Sequence, residues 1–423
     1  MTVTEETRPN VPSASDVITW CDNPFVEWLL TEGWSISTAR LLIDGLARKA
    51  VAAGLSLYRL TATIRFLHPQ VIGTTFTWKR DGGEATMFSP PHGLLQSATF
   101  LHSPFAAIMR GEASGIRRRL DVPSAPIDFP ILKELKEQVV TDYVAMPIHF
   151  SDGSIHAMTF STDRPGGFST AELSLLYDML PVMARLLEIH ATRHTARTLL
   201  DTYVGRHAGE PVLKGLIKRG DGESIHAVIW FSDLRNSTRL ANSMPREEFL
   251  ALLNQYFECL AGAVLDHGGT VLRYIGDAVL AIFPIDPEAG SPLTFQDSTT
   301  ACNAAVVAAR DAMERVAAHN AEISESSHEI HYGLALHLGD VMYGNIGVPE
   351  RLEFTVIGPV ANEAARLEDM CKTLDRAILI SSSVAEHLDL PLVSSGFQGF
   401  RGVRDPQEVF TFPECTGPRP SGV

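Results

Sequence analysis

Residues 270–283 read TVLRYIGDAVLAIF, and this stretch decides the fold of the C-terminal half of the chain. Two apolar runs, Thr270–Ile275 and Ala278–Phe283, flank a glycine-containing pair of residues. A two-residue turn of this kind between two strand-like runs predicts a β-hairpin. Asp277 would then lie in the turn, where its carboxylate can face a ligand.

The segments on both sides of this hairpin predict an α+β domain. The pattern indicates a strand, an amphipathic helix, the hairpin, an Ala-rich helix and a second hairpin turned at Gly339-Asp340. In chain order the flanking elements are Ile225–Phe231, Pro245–His267, about Ser298 to Asn320, and Glu329–Leu338 with Val341–Ile346. This order is β-α-β-β-α-β, the ferredoxin-like arrangement.

A second aspartate, Asp233, directly follows the first predicted strand in FSDLRNST. Taken alone, Asp233 or Asp277 is typical of a turn or a helix cap. In the predicted topology the two converge, and paired carboxylates suit two divalent cations, Mg²⁺ or Mn²⁺, that bridge substrate phosphates. Asn236, Ser237 and Thr238 would add backbone N–H groups for phosphate at the start of a helix.

The stretch VIGPVANEAARLED supplies a third element. A helix is expected after Gly358, with Asn362 and Arg366 one turn apart on the same face. An amide and a guanidinium there could orient a ribose oxygen and stabilise charge on a reacting phosphate. The alternative is a solvated helix face on which Glu363 pairs with Arg366.

These three motifs, in this order, resemble the catalytic domain of class III adenylate/guanylate cyclases. The resemblance covers about Ile225 to Phe412. It implies conversion of ATP to 3′,5′-cyclic AMP and pyrophosphate by a homodimer with active sites at the interface. One chain would contribute its metal ligands and the other its ribose and transition-state residues: Asp233, Asp277 and the backbone carbonyl of Leu234 from the first, Asn362 and Arg366 from the second.

The resemblance also implies two base-reading positions, here Arg273 and Thr355. Arg273 can donate to N1 of adenine and Thr355 can accept from its amino group, whereas guanine would favour an acidic acceptor at position 273. The family usually has glycine where this chain has Asn236, which matters if that position requires φ > 0. Arg401 falls where the family often has a cation for the terminal phosphates. A guanylate cyclase and a catalytically impaired nucleotide-binding regulatory dimer remain alternatives.

The N-terminal part predicts a separate α+β domain. Its strand–turn–strand YVAMPIHFSDGSIHAMTF and the helix after it resemble the closing half of a GAF-like sensory domain, which implies a small-molecule effector. Apolar residues of the stretch 171–203 recur on one helical stripe, which fits either a coiled coil or the closing helix of this domain plus a linker, with a kink or break expected at Pro181. The predicted organisation is a disordered segment 1–15, a GAF-like regulatory domain 16–190, a helical linker 191–224, the cyclase domain 225–413 and a flexible tail 414–423.

Composition narrows the functional classes. The net charge of −15 argues against nucleic-acid binding, because that would need a basic surface. Five scattered cysteines predict reduced thiols, and no apolar run is long enough to span a bilayer. The polar, acidic start MTVTEETRPN does not resemble a secretory signal. A cytoplasmic location is therefore expected.

Overall fold

The computed structural model describes residues 22–205, 209, 212–215, 217–285, 297–322, 328–399 and 406–416. The chain divides into two compact units, residues 1–199 and 200–423. The predicted disordered segment 1–15, most of the tail and Arg401 lie outside the described residues.

The N-terminal unit is built on one antiparallel sheet of six strands in the order β3-β2-β1-β6-β5-β4. The strands are β1 Arg59–Arg65, β2 Gly73–Lys79, β3 Thr86–Phe88, β4 Ile116–Arg119, β5 Asp142–His149 and β6 Ile155–Thr162. The helices are α1 Pro24–Thr31, α2 Ala39–Ala52, α3 Ala98–Leu101, α4 Pro104–Met109, α5 Pro130–Glu137 and α6 Thr170–Tyr203. The predicted α+β character of this part is confirmed, and its GAF-like assignment stays a prediction.

Helix α6 runs for 34 residues and is not interrupted at Pro181, so the expected break is absent. Its stripe of Met179, Met183 and Leu187 is buried in the core of the N-terminal unit. The sheet already covers these apolar side chains, which supports the closing-helix interpretation for this part of α6. Its last turns, up to Tyr203, stay open to the coiled-coil interpretation.

Among its described residues, the C-terminal unit contains eight strands, five α-helices whose bounds are fully described, and a short 3-10 helix at Pro413–Cys415. The strands are β7 Gly222–Leu234, β8 Thr270–Ile275, β9 Ala278–Ile285, β10 Tyr332–Val348, β11 Arg351–Ile357, β12 Ile378–Ser381, β13 Val393–Gln398 and β14 Gln407–Thr411. The helices are α7 Ser237–Ser243, α8 Arg246–Asp266, α9 Ser298–Glu322, α10 Pro359–Thr373 and α11 Ser382–Ala385. The two long helices α8 and α9 and the hairpin β8–β9 lie where the sequence predicts them.

The order of the strands in this sheet is ferredoxin-like. It reads β13-β14-β12-β10-β7-β9-β8, and β11 pairs with β10. Strand β9 lies between β7 and β8 and is antiparallel to both, so the β7–α8–β8 crossover is a split βαβ unit. Trp230, Tyr256 and Phe283 fill the core between this sheet and the helices α8 and α9. The predicted fold class is confirmed.

The hairpin predicted at Gly339-Asp340 is wrong. Strand β10 continues through both residues for 17 residues in all, with Gly339 paired to Ala227 and Asp340 to His226 of β7. The glycine is explained by packing, because a Cβ atom at position 339 would lie 2.7 Å from Val360 of α10. The reversal comes later, between β10 and β11.

Four of the five cysteines lie in the described residues, and all four are free thiols: Cys259, Cys302, Cys371 and Cys415. The prediction of unpaired thiols is confirmed for them. Within the described parts of the chain, every helix is too short or too polar to cross a membrane.

Candidate active site

The β8–β9 turn and the end of β7 bring the two predicted metal ligands together. Ile275 pairs with Ala278, so Gly276 and Asp277 form a two-residue turn, and Gly276 adopts a left-handed φ of 65°. Strand β7 pairs with β9 up to Ser232 opposite Val279. The next residue of β7, Asp233, therefore lies beside the turn that carries Asp277.

The two carboxyl groups are close enough to form a hydrogen bond with each other. Partial burial, followed by this hydrogen bond and the charge of Asp277, raises the pKa of Asp233 to about 6. The nearby Arg235 and the N–H of Leu234 act in the opposite direction. A divalent cation between the carboxylate oxygens would relieve the same repulsion.

The donor set fits a hard cation but is incomplete without further ligands. Among the described residues, no group of three or more His, Cys, Asp or Glu side chains could hold a metal ion. Asp233 and Asp277 would therefore need a backbone carbonyl, water or substrate phosphate oxygens to complete the coordination of Mg²⁺ or Mn²⁺.

A buried ion pair lies behind Asp233, and the sequence analysis missed it. Arg235 Nη2 lies 2.9 Å from Glu368 Oε1, and the Glu368 side chain is only 3% exposed. Burial raises the pKa of Glu368 to about 7, against the opposing effect of Arg235 and with further increases from Asp233 and Asp277. The pair thus joins helix α10 to the strand end that carries Asp233.

Gly333 makes room for this ion pair. It lies opposite Asp233 in the β7–β10 ladder. A Cβ atom at this position would overlap both the Glu368 carboxylate and the Arg235 guanidinium. Arg235 and Glu368 both stand in the motifs quoted above, and the only sequence signal for their pairing was opposite charge.

Asn236 adopts a left-handed backbone conformation, the one that the family's usual glycine at this position suggested. Its φ is 59° and its ψ is 22°, immediately before the short helix α7. Its side chain makes no capping hydrogen bond. The residue therefore serves this turn through its backbone, a conformation that asparagine tolerates better than most residues. Ser237 and Thr238 open α7, as predicted.

Asn362 and Arg366 lie on one face of helix α10, as predicted. At about 100° per residue they are within about 40° of each other. The buried residues Ala364, Leu367 and Cys371 lie on the opposite side of the helix, against the sheet. Asn362 and Arg366 therefore face away from the sheet of their own chain. The neighbouring Glu363 bonds to His337 of β10 at 2.9 Å.

The two predicted base-reading residues lie on β8 and β11, two strands that do not pair with each other but are joined by a side-chain contact. Arg273 Nη1 of β8 lies 3.1 Å from Glu353 Oε2 of β11, two residues before Thr355. Thr355 is 2% exposed, and its hydroxyl has no hydrogen-bond partner among the described residues. The region where the predicted base would bind thus contains a cation, a carboxylate and a hydroxyl.

The N-terminal unit has a separate cavity of about 730 Å³. It is lined by the end of β1, the β5–β6 turn and one face of α6, including Phe66, Glu188 and Thr192. His156 is 2% exposed and lines it too; burial lowers the pKa of His156 to about 4, so the imidazole is neutral. The cavity combines apolar walls with polar groups, as small-molecule sites do.

Comparison with known proteins identifies the C-terminal unit. The sequence model of the family described as Adenylate and Guanylate cyclase catalytic domain matches residues 222–410. An uncharacterized protein of Mycobacterium tuberculosis strain H37Rv is 34% identical over 198 residues, which is 47% of this chain and 32% of that protein. The matched part of the chain thus spans about a third of the length of this relative.

Two solved structures are also similar. A bacterial light-regulated adenylyl cyclase is 18% identical, with a TM-score of 0.47, over 64% of this chain and 84% of that one. The guanylyl cyclase Cya2 is 26% identical, with a TM-score of 0.38, over 45% of this chain and 92% of that one.

Residues 222–410 of the C-terminal unit therefore match the catalytic domain of the adenylate and guanylate cyclase family. The class III resemblance predicted from the three motifs is confirmed by the family match, which spans all of them.

Proposed function

We propose that this protein is an adenylate cyclase that converts ATP to 3′,5′-cyclic AMP and pyrophosphate. The observation that carries the proposal is the pairing of Asp233 with Asp277 at adjacent strand ends, within the segment that matches the cyclase family. The candidate residues Asn362 and Arg366 are also present, which speaks against a dimer that has lost its catalytic residues.

Two divalent cations, Mg²⁺ or Mn²⁺, fit this site. Asp233, Asp277 and the carbonyl of Leu234 would hold them, because all three offer the oxygen donors that these ions prefer. When bound, the cations would neutralise phosphate charge and lower the pKa of the ribose 3′-hydroxyl.

The reaction is an in-line displacement at the α-phosphorus. The ribose 3′-oxygen bonds to that phosphorus, the bond to the bridging oxygen of the β-phosphate breaks, and the 3′-hydroxyl proton is lost as pyrophosphate leaves. Arg366 would stabilise the charge that builds on the phosphoryl oxygens, and Asn362 would hold the ribose. The N–H groups of Asn236, Ser237 and Thr238 would bind phosphate oxygens, and Arg401 would add a cation for the terminal phosphates.

We propose that each active site is shared by two copies of the chain. Asn362 and Arg366 lie on the side of α10 that faces away from its own sheet, so a second chain is needed to bring them to Asp233 and Asp277. A twofold-symmetric pair of chains would form two such sites. Each would combine the metal ligands of one chain with α10 of its partner.

Adenine is the proposed base. Arg273 can donate hydrogen bonds, and the Thr355 hydroxyl, which has no hydrogen-bond partner among the described residues, can accept one from the adenine amino group. The purified protein, supplied with Mn²⁺ and either ATP or GTP, is expected to form cyclic AMP. Formation of neither cyclic nucleotide would refute an enzymatic function, and cyclic GMP alone would make the protein a guanylate cyclase.

We also propose that a small-molecule effector binds the cavity beside α6. Thr192→Trp would fill part of the cavity from the helix side, without touching the core of the unit. A compound that raises the unfolding temperature of the wild-type protein and changes its cyclase rate should do neither with Thr192→Trp. Equal effects on both proteins would place the effector elsewhere.

A further inference from the structure

We infer that His337 is a positioning residue of the proposed cyclase, because its imidazole holds Glu363 and so fixes the rotation of helix α10 about its axis. That rotation sets where Asn362 and Arg366 project. The inference rests on the proposed function and deepens it, since it concerns how the same site is assembled. It depends on the row of β10 side chains beneath α10, on one buried contact and on the position of Glu363 around the helix.

Strand β10 presents a row of alternate side chains to α10, since successive side chains of a strand point to opposite faces. Contacts with residues of α10 identify Gly333, Ala335 and Gly339 as members of this row. His337 belongs to the same row, and it has the one large side chain of the four. The two glycines and the alanine let the helix lie close to the sheet, so His337 reaches it directly.

The contact between His337 and Glu363 is short and largely shielded from water. His337 Nε2 lies 2.9 Å from Glu363 Oε2, and the two side chains are 8% and 21% exposed. Burial lowers the pKa of His337, and the hydrogen bond and charge of Glu363 oppose this effect only in part. The imidazole is therefore neutral at physiological pH, and Nε2, which faces a carboxylate, carries the proton.

The other nitrogen of the ring faces a serine that is itself fixed to the strand. Ser383 Oγ lies 3.5 Å from His337 Nδ1. The same hydroxyl accepts a hydrogen bond from the N–H of Leu338 and donates to its carbonyl oxygen. The imidazole is thus held between α11 and Glu363, which limits how far Glu363 can move.

Glu363 lies on one flank of the buried face of α10, and Glu368 lies on the other. At about 100° per residue the two carboxylates are about 140° apart around the helix, and its buried apolar side chains lie between them. The ion pair with Arg235 fixes the flank of Glu368, and His337 fixes the flank of Glu363. Apolar contact alone resists such a rotation weakly, because it is not directional.

A small rotation of α10 is enough to misplace the groups that the proposed reaction needs. Side-chain atoms about 6 Å from the axis of a helix move by about 1 Å when the helix rotates by about 10°. A displacement of about 1 Å can lower a rate by about a hundredfold. Asn362 is next to Glu363 in the sequence and Arg366 follows within one turn, so the loss of this anchor would displace both.

The test removes the N–H donor and keeps a ring of similar shape. In the full-length protein with Mn²⁺ and ATP, His337→Phe is expected to lower kcat at least about tenfold. His337→Gln keeps an N–H donor and should lower kcat by less than about threefold. The matched control, His267→Phe, removes a histidine–carboxylate contact of the same length, to Asp311 of α9, and should leave kcat unchanged.

Glu363→Leu removes the same contact from the helix side and leaves β10 intact. It should lower kcat as much as His337→Phe does. The double variant should lose no more than either single variant, because both changes remove one interaction. Losses that multiply in the double variant would overturn the inference, since the two residues would then act separately.

Mixing of chains shows which half of the site is affected. His337→Phe mixed with Asp277→Ala should form cyclic AMP at about a quarter of the wild-type rate, because each mixed dimer has one site with intact metal ligands and an intact α10. Mixed with Arg366→Ala, it should not exceed its own rate. Recovery with Arg366→Ala would overturn the inference, because it would place the defect among the metal ligands.

Two further results would contradict the role of His337. One is a kcat for His337→Phe within about threefold of the wild type, and the other is an equal loss in His267→Phe, which would reflect stability alone. Failure of the proposed function has a different signature, since the wild type itself would then form no cyclic nucleotide. That result would refute the cyclase function and this inference with it.

Discussion

Asn236 shows how single residues shape this site. Its backbone is left-handed just where β7 ends and α7 begins, three residues after Asp233. Most residues with a Cβ atom lose about 1–2 kcal/mol in this conformation, whereas glycine does not and asparagine loses less. The turn between β7 and α7 therefore depends on a residue that accepts φ > 0, and the chain uses asparagine where the resemblance predicts glycine.

A pair of substitutions at this position tests that account. Asn236→Ala should lower the free energy of unfolding by about 1 kcal/mol, because alanine tolerates the left-handed region less well than asparagine does. Asn236→Gly should be at least as stable as the wild type. Urea unfolding of the three proteins measures both differences. If the alanine and glycine variants are equally stable, the left-handed conformation at position 236 does not strain a residue that has a Cβ atom.

Sequence reasoning at the residue scale succeeded where a chemical pattern was local. The proximity of Asp233 to Asp277 and the left-handed conformation of Asn236 could both be predicted from short motifs. The ion pair behind Asp233 could not be predicted in this way. Arg235 and Glu368 are 133 positions apart in the sequence, and only tertiary packing brings them into contact. The same holds for Arg273 and Glu353.

At the scale of elements, helix α10 is fixed to the sheet by a polar contact within its otherwise apolar buried face. Leu367 and Cys371 pack against β10 and β12, and Glu368 reaches Arg235 beside them. The direction of α10 sets where Asn362 and Arg366 project. The ion pair therefore links the position of the proposed transition-state residues to the strand end that carries Asp233.

Gly333→Ala tests this link, because its Cβ atom would overlap both partners of the ion pair. Separating a buried pair costs about 3–5 kcal/mol, so we expect a loss of stability of about 3 kcal/mol or more. Gly399→Ala is the control, since a Cβ atom there has no neighbour within 4 Å among the described residues. Equal unfolding midpoints for the two variants would mean that the pair moves aside without cost.

The wrong hairpin at Gly339-Asp340 has a physical explanation at this scale. A Gly-Asp pair between apolar runs is a good turn signal, and it predicted the β8–β9 hairpin correctly. In β10 the glycine instead leaves space for Val360 of α10. Turn glycines and packing glycines look alike in a single sequence, because the neighbour that excludes a Cβ atom is distant along the chain.

At the scale of the whole molecule, the proposal predicts that catalysis needs two chains. Asp277→Ala and Arg366→Ala should each be inactive as homodimers, since every site lacks one group. A mixture exchanges chains and forms heterodimers with one intact site and one doubly defective site. With random exchange, half of the dimers are mixed, so about a quarter of the wild-type rate should return.

The recovery is measured as the rate of cyclic AMP formation by the mixture, compared with the rate of each variant alone. A matched control mixes Asp233→Ala with Asp277→Ala, whose defects lie in the same half of the site and should not complement each other. No recovery from the first mixture, with both chains folded and exchanging, would contradict sites shared across the interface. Recovery from the control mixture would contradict the division of residues between the two chains.

The claim that Asp233 and Asp277 form a divalent-cation site for nucleotide cyclisation is tested most directly by Asp277→Asn. This change keeps the shape of the side chain and removes one of the two charges. With saturating Mn²⁺ and ATP, we predict that the rate of cyclic AMP formation falls at least about a hundredfold relative to the wild type. A fall of less than about tenfold, in a variant that unfolds at the wild-type urea concentration, would contradict the metal assignment on which the account depends.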